Sequence, residues 1–368
     1  MQQRNVILKY LVQICIITGL AALLSTTVVS SLTSLPAFKS MVEDNDFQMS
    51  DLYNRVWNNK TVRQLSHDVV IVSVDGLARD KIAETIEAVS MAKPKAVGID
   101  IIFEFPNEND SILISNIEKS NAVMAAIETI DGEVITSYFC DSLFPSGIVN
   151  MLASEKNSVI REFQPVYPRG TSFAAEIVKM SYPSQYEILM SKGSENEQIS
   201  YPLTDFMSIP ADSIILGYHL KELTGKIVLV GDAHNMADMH PTPIGTMSGI
   251  NIQASIIETI IHEKYTHTCS AFVNWLIAIL SCMLFVALNF LTAKKMPAVG
   301  KLIMRIVQLS MLYLFFIIGC HLFINKQIYV DFSLSLVMIA LGLLAYDIWI
   351  GVEAICKKTV SYFKQKKS

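Results

Sequence analysis

The chain has 368 residues, 51% of them hydrophobic, with a mean hydropathy of +0.40 and a formal net charge of −5. That is too apolar for an ordinary soluble globule, so long apolar runs are required. Residues 31–268 carry 17 Lys+Arg against 31 Asp+Glu, a net of −14, whereas the remainder nets +9; the acidity of the middle segment speaks against nucleic acid as a partner.

The first apolar run, 10–29, follows Arg4 and Lys9 and has the ~20 residues a helix needs to cross ~30 Å of hydrocarbon. A charged start and an apolar run also describe a secretory signal, but this run is long for one and no A-x-A-like site follows it. The expectation is an uncleaved anchor. Residues 36–63 mix charge with scattered apolar positions and suit a helix or linker.

Residues 69–74, Val-Val-Ile-Val-Ser-Val, form a continuous β-branched run ending at Asp75-Gly76, the pattern of a buried strand. Ile82, Ile86 and Val89 then recur at helical spacing over 79–92, Pro94 closes the helix, and 96–102 reads as a second strand containing Asp100. Strand, helix and strand over about 35 residues make a βαβ unit with parallel strands. A helix over 110–119 and strands over 122–126 and 134–138 continue the pattern. Between 140 and 215 the periodicity weakens. Residues 161–167 alternate as an edge strand does, although Pro165 keeps them from the centre of a sheet, and 171–180 suits a helix. Strand 227–230 leads to Gly231-Asp232, a polar loop spans 233–249, and a helix over 250–262 could run almost directly into the second apolar segment at Ala271.

Three further spans follow, 271–291, 302–323 and 332–350. The loop 293–305 carries Lys294, Lys295, Lys301 and Arg305 with no acid, and the tail carries five lysines, while the hairpin 325–331 has only Lys326 against Asp331. Basic loops stay in the cytoplasm. The expected architecture is therefore an α/β extracytoplasmic domain with a mainly parallel sheet, plus four transmembrane α-helices. Its segments are 1–30, with helix one; 31–268, outside; 269–350, three helices; and 351–368, a basic cytoplasmic tail. The expected location is the plasma (inner) membrane, multi-pass, with both termini cytoplasmic. Cys140 and Cys269 are too few for a disulfide framework, and a bridge between them is left open.

Asp75, Asp100 and Asp232 each stand at or near the C-terminal end of an apolar strand, and Asp238 and His240 lie in the loop after the last one. Open parallel sheets bind ligands in the crevice outside those ends, so these five residues are the candidate site for a polar ligand or cation. Asp-Gly and Gly-Asp also make turns in which the carboxylate caps nearby amides. Asp100 resists that account, because a carboxylate in an apolar strand is costly unless paired. No G-x-S-x-G elbow, P-loop or H-E-x-x-H is present, and neither His234/His240 nor His262/His267 has a metal-diagnostic spacing. No cofactor, no metal and no enzymatic activity are expected.

Val70–Asp75, Lys95–Phe103 and above all Gly225-Lys226-Ile227-Val228-Leu229-Val230-Gly231 are similar to the CHASE domain of the second type, an extracellular sensory domain associated with cyclases and histidine kinases. Asp238, Thr242-Pro243 and Ser248-Gly249-Ile250-Asn251-Ile252-Gln253-Ala254 carry the resemblance further. It covers about residues 30–268, and the arrangement of one helix before the domain and three after it matches as well. Members usually continue into a kinase, cyclase or phosphodiesterase, whereas here Gly351–Ser368 follow the last span. The resemblance thus implies an input module that detects an external signal and hands it to a separate partner protein, with room for a homo-oligomer. The alternative is a cell-envelope scaffold whose domain binds another protein without sensing.

Overall fold

The computed structural model describes residues 2–34, 48–58, 64–108, 110–140, 144–152, 159–201, 204–296 and 299–365. The chain divides into two compact units, Asn54–Thr266 and Met1–Tyr53 with His267–Ser368. It opens with α1 (Gln2–Ser34). Helix α2 (Met49–Asn58) falls where a helix or linker is expected, and residues 36–47 and 59–63 of that stretch lie outside the described residues.

The α/β unit alternates strands and helices: β1 (Gln64–Ser73), α3 (Arg79–Met91), β2 (Ala96–Asp100), α4 (Asp110–Ser120) and β3 (Ala122–Glu128). Then come β4 (Val134–Thr136), β5 (Ser146–Ile148), α5 (Phe173–Ser181), α6 (Pro183–Lys192), β6 (Thr204–Pro210) and β7 (Ile227–Gly231). A hairpin of β8 (Met239–Thr242) and β9 (Gly245–Ser248) leads into α7 (Gly249–Ile261). Seven strands form one sheet in the order β6-β1-β7-β2-β3-β4, with β5 also beside β3; every pairing is parallel except β3 with β4.

The sheet is buried on both faces, which is why its central strands read as unbroken apolar runs. Val69, Ile71, Ile227 and Leu229 point to one face and pack with Phe173, Ile177, Ile257 and Ile260 of α5 and α7. Val70, Val72, Val97, Ile99, Val228 and Val230 point to the other and pack with Ile82, Ile86 and Val89 of α3 and Leu113 and Ile117 of α4.

Three expectations need correction, and one edge strand falls where none is expected. Residues 161–167 are not an edge strand of the main sheet: Pro165 splits them into Glu162–Phe163 and Val166–Tyr167, each in a separate two-stranded pairing. The edge beside β1 is β6, whose Asp205, Ser208 and Pro210 blur the alternation that betrays a strand. The loop 233–249 is largely ordered as a 3-10 turn (Met236–Asp238) and the β8–β9 hairpin. Finally, α7 does not run on into the next span, because the chain turns at Glu263, whose φ of +53° breaks the helix.

Among the described residues four helices are long and apolar enough to cross a membrane, making the chain a multi-pass membrane protein: α1, α8 (Ala271–Lys295), α9 (Gly300–Lys326) and α10 (Ser333–Gln365). Helix α10 continues without a break through most of the basic tail. Rather than standing apart, α1 shares a core with α8 and α10 through Ile17, Ala21, Ala278, Cys282, Val286, Met338 and Ala345. Between α9 and α10, Gln308 donates to the carbonyls of Ile339 and Ala340 at 2.8 and 2.9 Å, a polar link of the kind that holds helices together in lipid.

Candidate functional site

The register aligns three strand ends. Ser73 lies opposite Gly231, and Gly231 opposite Asp100, so β1, β7 and β2 finish flush. Asp75 comes two residues after its strand and Asp232 one residue after its own. Asp100 is the last residue of β2 rather than an interior one, with Ile101 and Ile102 beyond the strand. The fold thus gathers all three carboxylates at one mouth of the sheet, where a parallel sheet binds ligands.

The loop after β7 brings Asp238 and His240 to the same mouth. Asp238 Oδ2 accepts from the Gly249 amide at 3.0 Å, at the start of α7, where exposed N–H groups and the helix dipole favour an anion. A Cβ at 249 would lie 2.5 Å from that oxygen, so a larger residue there would have to displace the carboxylate. This explains the Ser248-Gly249-Ile250 run in physical terms. Ser248 is the N-cap residue, and Asn251 donates to its hydroxyl at 2.7 Å. The other Asp238 oxygen lies 3.0 Å from His240 Nε2.

Asp75 is held differently. It accepts from the Ser73 hydroxyl and from the His234 backbone amide at 3.2 Å, and its Oδ2 lies 2.6 Å from His234 Nδ1. His234 and Ser73 were not among the expected site residues. His234 stands two residues after Asp232, and only the folded turn shows that it reaches back to β1.

The carboxylates differ in electrostatics. Burial pushes the Asp100 carboxyl up, and the neighbouring Asp238 and Asp232 push it further, to about 7. Asp232 is also raised, by burial first and then by Asp75 and Asp238. Burial pushes on Asp75 as well, but its hydrogen bonds from Ser73 and His234 outweigh that effect and hold it below the usual carboxylate range. The mouth therefore concentrates negative charge whose mutual repulsion a cation or a cluster of donors would relieve. Beside it, an open cleft of about 340 Å³ is lined by Phe206, His234, Met239, Met247 and Asn251 among others, so His234 borders both.

Residues 22–288 match the family model of the CHASE2 domain. No curated protein matches the chain, and no solved structure does.

Proposed function

This chain belongs to the CHASE2 domain family, a family of extracellular sensory domains, and we propose that it is a bacterial-type membrane sensor that passes an external signal to a separate partner protein. In this reading residues 31–268 face outward and both termini lie in the cytoplasm. The charge asymmetry supports that orientation, with a net of −14 for 31–268 and +9 for the rest. The membrane would be the plasma (inner) membrane.

The observation that carries the reading is the convergence of Asp75, Asp100, Asp232 and Asp238 at the flush ends of β1, β7 and β2. We read these residues, with His240, as the binding site for a polar ligand or cation, because carboxylate oxygens suit hard cations and amine donors. A ligand there would bear directly on α7, whose first turn is tied to Asp238. Binding rather than catalysis fits the local geometry. In the Ser73–Asp75–His234 cluster the carboxylate stands between hydroxyl and imidazole, so the imidazole is not set to take the hydroxyl proton as a nucleophile would require.

The test is made in membranes. A photo-crosslinking side chain replaces the exposed Ile355 in α10. The proposal expects a partner protein to be captured in a yield that changes when Asp100 and Asp232 are both replaced by Asn. Capture of lipid and of further copies of the chain alone, insensitive to those substitutions, contradicts it.

A further inference from the structure

At the opposite end of the sheet from the acidic mouth, β1 begins and α7 ends. Three side chains meet there: Asp68 in β1, Glu258 in the last turn of α7, and His262, the C-cap residue of that helix. His262 Nε2 lies 2.9 Å from Glu258 Oε2 and 3.3 Å from Asp68 Oδ2, and the three donor atoms all fall within 4.8 Å of one another.

The surroundings hold each carboxylate in place. The Ser66 hydroxyl donates to Glu258 Oε1, and Ser66 Oγ itself accepts from the amides of Asp68 and Val69 at 3.1 and 2.9 Å. The Tyr182 hydroxyl donates to Asp68 Oδ1 at 2.8 Å. Each carboxylate thus has one oxygen fixed by a hydroxyl and turns the other towards the imidazole, the arrangement by which outer hydrogen bonds orient metal ligands. The Glu258 side chain is 5% exposed and its neighbour Asp68 only 27%. A positive charge among these groups, on the imidazole or on a bound cation, would offset the repulsion between the two carboxylates. Tetrahedral ligands about 2.1 Å from a zinc ion stand roughly 3.4 Å apart; the Asp68 spacing of 3.3 Å is close to that, and the Glu258 spacing of 2.9 Å would open by about half an ångström on binding. One imidazole with two carboxylates suits zinc better than calcium or magnesium, which prefer all-oxygen shells.

We propose that Asp68, Glu258 and His262 form a binding site for a divalent transition-metal cation of zinc type, with solvent completing its coordination. The site would clamp the end of α7 to the start of β1. It goes beyond the sensor reading and does not depend on it. The sequence holds a faint trace of it: Glu258 and His262 are four apart on one helix face, whereas Asp68 lies 190 residues earlier and only the fold supplies it.

The test uses the full chain in detergent, stripped with a chelator and dialysed against Zn²⁺. Wild type should take up zinc, and His262→Ala and Glu258→Gln should each lower the uptake by one ion per chain. Glu258→Gln keeps an acceptor for Ser66, and circular dichroism checks that both variants are folded; should either fail to fold, Tyr182→Phe decides, with affinity expected to fall roughly 10-fold or more. His219→Ala, at an exposed histidine beside Glu222, should keep full uptake. Absence of zinc uptake by wild type, or uptake unchanged by all three substitutions at the site, overturns the proposal.

Discussion

Asp100 concentrates the electrostatic problem of the acidic mouth in one side chain. Its carboxyl holds a proton up to about pH 7 in the folded chain, whereas an unfolded aspartate releases its proton near ~3.9. The folded state therefore binds the extra proton between those values, and the contribution of Asp100 to stability falls as pH rises through that window. Replacing it by Asn removes the loss. Asp100→Asn should be more stable than wild type at pH 8, by about 1–3 kcal/mol, and the two should converge towards pH 4. Thermal melting of the purified chain across that range checks this; a variant less stable than wild type at pH 8 would show that the carboxylate is paired rather than strained. Asp75 works in the opposite sense. Its lowered carboxyl favours the folded state above the unfolded value, and that contribution is lost as the pH falls towards and below it.

Among the elements, β5 and α5 approach backbone to backbone. A Cβ on Gly147 would stand 2.4 Å from the Phe173 Cα and 2.7 Å from its nitrogen, so backbone would have to move. A Cβ on Gly98 in β2 would meet only side-chain ends, Ile177 Cδ1 at 2.4 Å and Leu229 Cδ2 at 2.8 Å. Gly98→Ala should therefore cost about 1–3 kcal/mol through overpacking, and Gly147→Ala should cost more. Melting of the two variants side by side tests the order, and a Gly147→Ala chain as stable as wild type would contradict it. This layer also marks how far the sequence can be read. Strands β1, β2, β3 and β7 were legible because burial on both faces demands unbroken apolar runs. Helices α3 and α7 showed through Ile82, Ile86 and Val89 and through Ile250–Ile261. Edge strand β6 and the short β5 were not, because an edge strand tolerates Asp205 and Pro210 and a three-residue strand has no period to detect. Asp75, Asp100 and Asp232 could be picked out by their places at strand ends, and Asp238 by its place in the loop after the last of them. His234 could not, since its partner Asp75 lies 159 residues away, and neither could the register that sets Ser73, Gly231 and Asp100 in one row.

For the whole molecule, function turns on which side of the membrane each unit occupies. The four apolar helices make a bundle in which α1 shares a core with α8 and α10, and the α/β unit carries its acidic mouth on its own strands. The proposed receptor would need that mouth outside and the basic ends of the bundle inside, and the asymmetry of −14 against +9 supports that orientation. The most direct measurement is thiol labelling of intact cells with a membrane-impermeant maleimide, using two single-cysteine versions of the chain. One carries Asp131→Cys on the exposed surface of the α/β unit, and the other keeps only Cys356, exposed on α10. The account predicts that cysteine at 131 is labelled in intact cells and Cys356 only after permeabilisation; labelling of Cys356 in intact cells, with position 131 protected until the membrane is opened, would contradict it.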